Sequence, residues 1–163
     1  MLARFAALTA IVAVSLFAQD AAPAILSVSG DVPTPIQLKP GDLARMPRET
    51  VTVHEQDGTE THYEGVPLRE ILAKAGAPLG KNLRGKALAT YVMAKAHDGY
   101  EVLFAIGELD ATFGNASILV ADKSDGKSLF GYQGPFRLVC PNDKAGARSV
   151  RMLETLEVVR LNK

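Results

Sequence analysis

Short apolar runs separated by glycine- and proline-marked turns dominate the chain, which is the pattern of a strand-rich domain with few helices. Ile25 to Ser29 alternates apolar and polar positions as a strand, and Ile36-Gln-Leu38 is a second. In Lys39 to Pro47, Asp42 is suited to cap one helical turn that Pro47 then stops. Glu49 to Glu55 carries Val51 and Val53 on one face, meets Asp57-Gly58 and returns from Thr59 to Tyr63, which predicts a hairpin. The period then changes. From Val66 to Gly76, Leu68, Ile71, Leu72 and Ala75 form the stripe of an amphipathic helix, with Pro67 in its first turn and Gly76 at its C-terminal stop.

Lys81 to Lys86 reads as a polar connection, and Ala87 to Ala96 as a largely buried strand. Asp98-Gly99 turns the chain into a returning strand, Tyr100 to Ile106, and Glu108-Leu-Asp110 starts a short helix. Ser117 to Ala121 is the next strand and Asp125-Gly126 a further turn. A strand through Val139 follows, its core Phe136 to Cys140 bounded by Gly134-Pro135 and Pro141, and Val150 to Leu161 is a terminal strand. No internal repeat and no low-complexity linker interrupts this order.

The first 18 residues follow another pattern. Arg4 precedes an apolar run from Phe5 to Phe17, and Leu-Phe-Ala18 leads into Gln19-Asp20, the layout of a secretory signal peptide with cleavage near Ala18 or as late as about residue 24. An uncleaved anchor is the alternative, which the polar, small-residue stretch that follows disfavours. The expected location is periplasmic or secreted, with no stable membrane span after cleavage. About 145 residues remain from there to Lys163, enough for one domain with a core.

Charge narrows the partners. Of 18 basic and 18 acidic residues only Arg4 goes with the leader, so the mature chain is close to neutral and offers no electrostatic case for nucleic acid. The single cysteine, Cys140, excludes an intramolecular disulfide despite the oxidising compartment an export signal implies. Its place in an apolar strand reads as a small buried hydrophobe rather than a nucleophile or metal ligand.

Two histidines lie in the predicted hairpin, and its register decides whether they cooperate. With a two-residue Asp57-Gly58 loop, His54 lies opposite Thr61 and His62 opposite Val53, on different faces. With a three-residue Asp57-Gly-Thr59 loop, His54 faces His62. A metal site would still need a third ligand, and His97 sits in a separate stretch as a turn histidine.

Candidate binding chemistry gathers after the strand Phe136 to Cys140. Lys144, Arg148, Ser149 and Arg151 surround Gly146, and cations, a hydroxyl and backbone N–H groups close together suit an anion such as a phosphate. A solvated basic loop is the alternative on composition alone.

The order of motifs resembles the molybdopterin-binding domain of the sulfite oxidase family. The matching pieces are Gly30-Asp-Val with Leu43-Ala-Arg-Met-Pro47, Thr50-Val-Thr-Val53, and Tyr63-Glu-Gly-Val-Pro-Leu-Arg-Glu-Ile-Leu72 with Ala75-Gly76. Ala96-His-Asp-Gly-Tyr100, Ile118-Leu-Val-Ala121, Gly134-Pro-Phe-Arg-Leu-Val-Cys-Pro141 and Ala147-Arg-Ser-Val-Arg-Met-Leu153 complete the set, which spans essentially the whole mature chain.

The resemblance implies an α+β fold, a mixed β-sheet domain with a few short helices, and an oxidoreductase that binds molybdopterin. It places Arg137 beside the pterin phosphate and Ser149, Val150 and Arg151 around it, with Arg148 in the same loop. Arg151 stands where the family often has lysine.

Against that expectation, the family supplies a molybdenum-ligating cysteine just after the strand matching Thr50 to Val53, and here Val53, His54 and Glu55 align instead. No residue is therefore assigned to a metal. The large members also carry an N-terminal segment that helps enclose the pterin and a C-terminal dimerisation domain; neither is matched here, so less pterin is expected to be buried. No haem-attachment motif is present, and electrons would come from another protein.

Three functions follow as expectations: a small exported oxidoreductase completed by a redox partner; a non-catalytic domain that kept the fold and an anion pocket for a small molecule or partner protein; and a histidine-based metal binder. The missing thiolate favours the second.

Overall fold

The computed structural model describes residues 24–55 and 57–161. The expected signal segment lies outside the described residues. Ten strands and three short helices follow in chain order: β1 (Leu26–Gly30), β2 (Ile36–Leu38), α1 (Pro40–Leu43), β3 (Glu49–His54), β4 (Glu60–Pro67), α2 (Leu68–Lys74), β5 (Thr90–Ala96), β6 (Glu101–Ala105), α3 (Ile106–Leu109), β7 (Leu119–Ser124), β8 (Lys127–Ser128), β9 (Arg137–Val139) and β10 (Leu153–Arg160). They form two sheets, one ordered β2-β1-β10-β5-β6 and the other β3-β4-β7-β8, with β9 paired to β7. The fold is the mixed α+β one that the motif order implies.

Alternation along the strands builds the core. In β5, Thr90, Val92, Ala94 and Ala96 point inward, while Tyr91, Met93 and Lys95 face out. On the outer face Lys95 holds Glu157 at 2.7 Å and Glu101 at 3.4 Å, each from a neighbouring strand. The inner face of this sheet packs on Leu68, Ile71 and Leu72 of α2 and on Val66, Val120 and Leu138 of the second sheet. The second sheet is buried on both sides, because Tyr63, Leu119 and Val139 join Leu129 in a smaller cluster that Val51 and Val53 cover.

Local signals explain most boundaries. The α2 stripe is wholly buried, and the helix ends in a Schellman motif: Gly76 N–H donates to Ala73 O, Ala77 N–H to Leu72 O, and Gly76 takes φ +78°. Val66 and Pro67 belong to the end of β4 rather than to the helix, because both pair with β7. Asp42 lies inside α1, not before it; its carboxylate reaches back to accept from Lys39 N–H at 2.9 Å, which holds its pKa below the usual value. At Asp125-Gly126 both residues adopt positive φ, 47° and 75°, the tight turn that twisted strands favour.

Other boundaries moved. Residues Gly85–Ala89 form a tight helical turn, so β5 starts at Thr90. The expected strand running up to Val139 is divided into β8, a turn at Gly131–Gln133, and a three-residue β9.

The β3–β4 hairpin adopts neither of the two registers considered. Glu55 N–H donates to Thr59 O, which closes the turn between them, with Gly58 at φ +84°. His54 therefore faces Glu60, and His62 faces Thr52. Asp57 drives this choice by accepting from both the N–H and the hydroxyl of Thr59, at 2.9 and 2.7 Å. Both histidines then share one face of the hairpin as diagonal neighbours, with His54 bordering the cleft described below.

Candidate ligand-binding cleft

An open cleft of about 800 Å³ lies where the ends of the two sheets approach. The register just described determines what the hairpin offers it: Val53, Glu55, Thr61 and Tyr63 fall on one face and line the cleft. Asp98 and Tyr100 line it from the β5–β6 turn, and Gln133, Arg137 and Cys140 from β9 and its flanks. Lys144, Ser149 and Arg151 complete the wall between β9 and β10.

Arg137 is the central cation. Only 8% exposed, it donates through Nη1 to the Tyr63 hydroxyl at 2.7 Å and to Gln133 Oε1 at 2.6 Å. Its guanidinium carbon lies 4.8 Å from the centroid of the Tyr63 ring. Its Nε is buried and has no acceptor among the described residues. Both oxygens that hold it are neutral, so among the described residues a buried positive charge stands at the cleft wall without a counter-ion. Burial pushes the Tyr63 phenol pKa up, Arg137 opposes that shift, and the Glu55 charge adds to it.

Arg148 is neutralised within the protein. Its Nε and Nη2 grip both oxygens of Asp143 at 2.8 Å, Nη1 reaches Glu108 at 3.2 Å, and the group sits 5.1 Å above the Phe104 ring. The Asp143 carboxyl is correspondingly held below its usual pKa by Arg148. Ser149 turns its Oγ onto the backbone, accepting from Cys140 N–H at 3.1 Å. Val150 is fully buried, and its carbonyl accepts from Leu138 N–H. Arg151 lies 5.3 Å from the exposed Tyr132 ring, and the Tyr100 hydroxyl ties the loop by donating to Ala147 O at 2.6 Å.

Of the five residues singled out in the sequence, the structure brings Arg137, Ser149 and Arg151 to the cleft, while Arg148 and Val150 lie behind its lining. Tyr63 and Gln133 were not singled out, and Glu55 only as a position aligned with the family's metal-ligating cysteine. Strand parity gives Tyr63 away once the register is known, whereas Gln133 carries no sequence signal.

The sulfur and the imidazoles are all committed. Cys140 is 5% exposed, its Sγ donates to Arg148 O, and burial pushes its thiol up to about 12, so it borders the cleft as a protonated thiol. His54 Nδ1 lies 3.2 Å from Glu60, His62 Nδ1 3.0 Å from the Thr52 hydroxyl, and His97 Nδ1 2.6 Å from Glu154. Among the described residues no three His, Cys, Asp or Glu side chains converge as a metal site, and no helix is long and apolar enough to cross a membrane.

Residues 18–163 match the family described as the oxidoreductase molybdopterin binding domain, and the chain belongs to that family. Among solved structures it is similar to the sulfane dehydrogenase SoxCD from Paracoccus pantotrophus, with 22% identity and a TM-score of 0.65 over 83% of this chain and 38% of that one. At this identity the likeness shows the fold, and the chain spans 38% of that relative's length. No curated protein matches the chain.

The cleft fits one half of the family's cofactor and not the other. A phosphate would meet Arg137, Arg151, Lys144 and the Ser149 hydroxyl. The position of the family's metal-ligating cysteine has no thiol here: the aligned hairpin positions supply Val53, His54 and Glu55, and the single cysteine, Cys140, is buried on the opposite wall with its Sγ on Arg148 O.

Proposed function

We propose that this protein is a binding member of the molybdopterin-binding domain family: its cleft holds the phosphate end of a pterin or a related organic phosphate, and it does not carry out thiolate-ligated molybdenum chemistry on its own. The observation that carries this reading is Arg137, a buried guanidinium with an unsatisfied Nε and, among the described residues, no carboxylate partner, on the wall of a cleft that holds no thiol at the position of the family's metal ligand. An anion would supply the missing charge, and fixed donors in a partly desolvated wall bind it more strongly than exposed lysines would.

Family membership supports a second reading, a molybdopterin-dependent oxidoreductase whose metal ligand and electrons come from a partner protein. Both readings place the protein in the periplasm or outside the cell, on the strength of the Met1–Ala18 pattern. The test is elemental analysis with pterin fluorescence after oxidation, on protein exported natively from a molybdenum-replete host. The expected result is pterin or phosphate with molybdenum far below stoichiometric. Near-stoichiometric molybdenum would favour the oxidoreductase, and cell fractionation with N-terminal sequencing checks export.

A further inference from the structure

Charge is balanced over the whole chain but not evenly spread along it. Between Glu70 and Asp98 there is no carboxylate, while Lys74, Lys81, Arg84, Lys86 and Lys95 all fall in that stretch. Lys81, Arg84 and Lys86 lie, exposed, in and just before the turn Gly85–Ala89. The fold brings other segments to the same end of the molecule. Leu161 N–H donates to Ala89 O at 2.8 Å, which sets Arg160 and Leu161 beside the turn, and α3 packs on it. The loop after α3 is tied nearby, because the Asp110 carboxylate accepts from Gly80 N–H at 2.5 Å. At this end Leu88, Phe113 and Leu161 leave 47%, 56% and 57% of their surface in solvent. Among the described residues no ion pair engages Lys81, Arg84, Lys86 or Arg160, since the local carboxylates are used elsewhere: Glu108 on Ala105 N–H and Arg148, Asp31 on Arg160 N–H, Asp110 on Gly80 and Thr112 N–H.

We propose that this end of the molecule docks peripherally on an anionic phospholipid membrane, with Leu88, Phe113 and Leu161 entering the headgroup layer and the four cations meeting lipid phosphates. Exposed apolar side chains interleaved with unpaired Lys and Arg are the composition that such an interface accepts, and a negative surface attracts each cation. A second copy related by a two-fold axis would set these like charges against themselves. The apolar side chains stand on a turn, a loop and the end of β10, three separate points of insertion rather than the face of one element. Docking there does not compete with the cleft. β5 starts at this end with Thr90 and reaches the cleft at Ala96, about 20 Å further on. The surface is therefore independent of what the cleft binds.

The test is sedimentation of the natively exported protein with vesicles of phosphatidylcholine alone and with vesicles of phosphatidylcholine and phosphatidylglycerol in equal parts. The expected result is binding to the anionic vesicles about tenfold tighter than to the neutral ones. Arg84→Gln combined with Lys86→Gln should weaken that binding about tenfold. Leu88→Asn combined with Leu161→Asn should do the same, and because all four side chains are exposed the melting temperature should not move. No binding to the anionic vesicles, or equal binding to both kinds, overturns the proposal. Binding that survives both pairs of changes arises elsewhere in the chain and overturns it too. Retention on immobilised polyglutamate without vesicle binding assigns the surface to an acidic protein and overturns the lipid assignment.

Discussion

Arg137 and Tyr63, 74 residues apart in sequence, meet twice: the guanidinium donates to the phenol oxygen at 2.7 Å and lies over the face of the same ring. One aromatic side chain thus supplies both an acceptor and a π surface to a buried cation that has no carboxylate.

Removing that oxygen leaves a buried charged donor short of a partner. Tyr63→Phe is expected to lower stability by about 2 kcal/mol, read from the urea midpoint. Adding Arg137→Met to the same chain should restore part of the loss, since no charge is then left unpaired. An unchanged midpoint in Tyr63→Phe would show that the phenol does not hold Arg137.

Burial of Cys140 has an alkaline signature. Its thiol moves from 9.0 to about 12 on folding, so the unfolded chain gives up its proton first. Stability is therefore fully present below about pH 9 and is lost as pH climbs toward 12. Cys140→Ala should flatten that limb of the stability profile. At neutral pH iodoacetamide should label Cys140 only at the rate at which the protein opens.

Asp143 contributes to the acid limb, as Asp42, Asp57 and Asp110 do. Its pKa is lowered by the Arg148 fork, so its contribution is present above the unfolded value of 3.8 and disappears as pH falls through the folded one. Asp143→Asn is expected to cost about 1 kcal/mol at neutral pH, a modest figure because Arg148 is partly exposed. Denaturation curves of wild type and variant should converge in acid.

Gly65 sits where β4 and β7 shift register, and a Cβ there would press into the Val120 backbone. Gly65→Ala is expected to destabilise by about 3 kcal/mol. Gly58→Ala, at positive φ but in open space, should cost about 1 kcal/mol. Thermal melts of the two variants separate steric contact from backbone strain.

Much of the fold was legible because its signals are local. The α2 stripe, the Gly76 stop and the Asp-Gly turns each depend on residues within a few positions of one another. The hairpin register was not, since Asp57 chose it by bonding Thr59, and strand pattern alone does not distinguish loops of two and three residues. In the cleft, Lys144, Ser149 and Arg151 were visible in the loop around Gly146, and Arg137 through the family resemblance. The commitment of Arg148 to Asp143 and Glu108, and of Arg137 to Tyr63 and Gln133, depends on tertiary approach that no spacing encodes.

The last strand lies in the middle of its sheet: β10 pairs in parallel with β1 on one side and antiparallel with β5 on the other. The first strand therefore has to wait for the last. During synthesis the opening two-thirds of the chain lacks the template that joins β1 and β2 to β5 and β6, and those contacts carry the largest sequence separations in the molecule. A ribosome-bound chain still missing β10 stays open, and the two halves of this sheet join only once Leu153–Arg160 has been made.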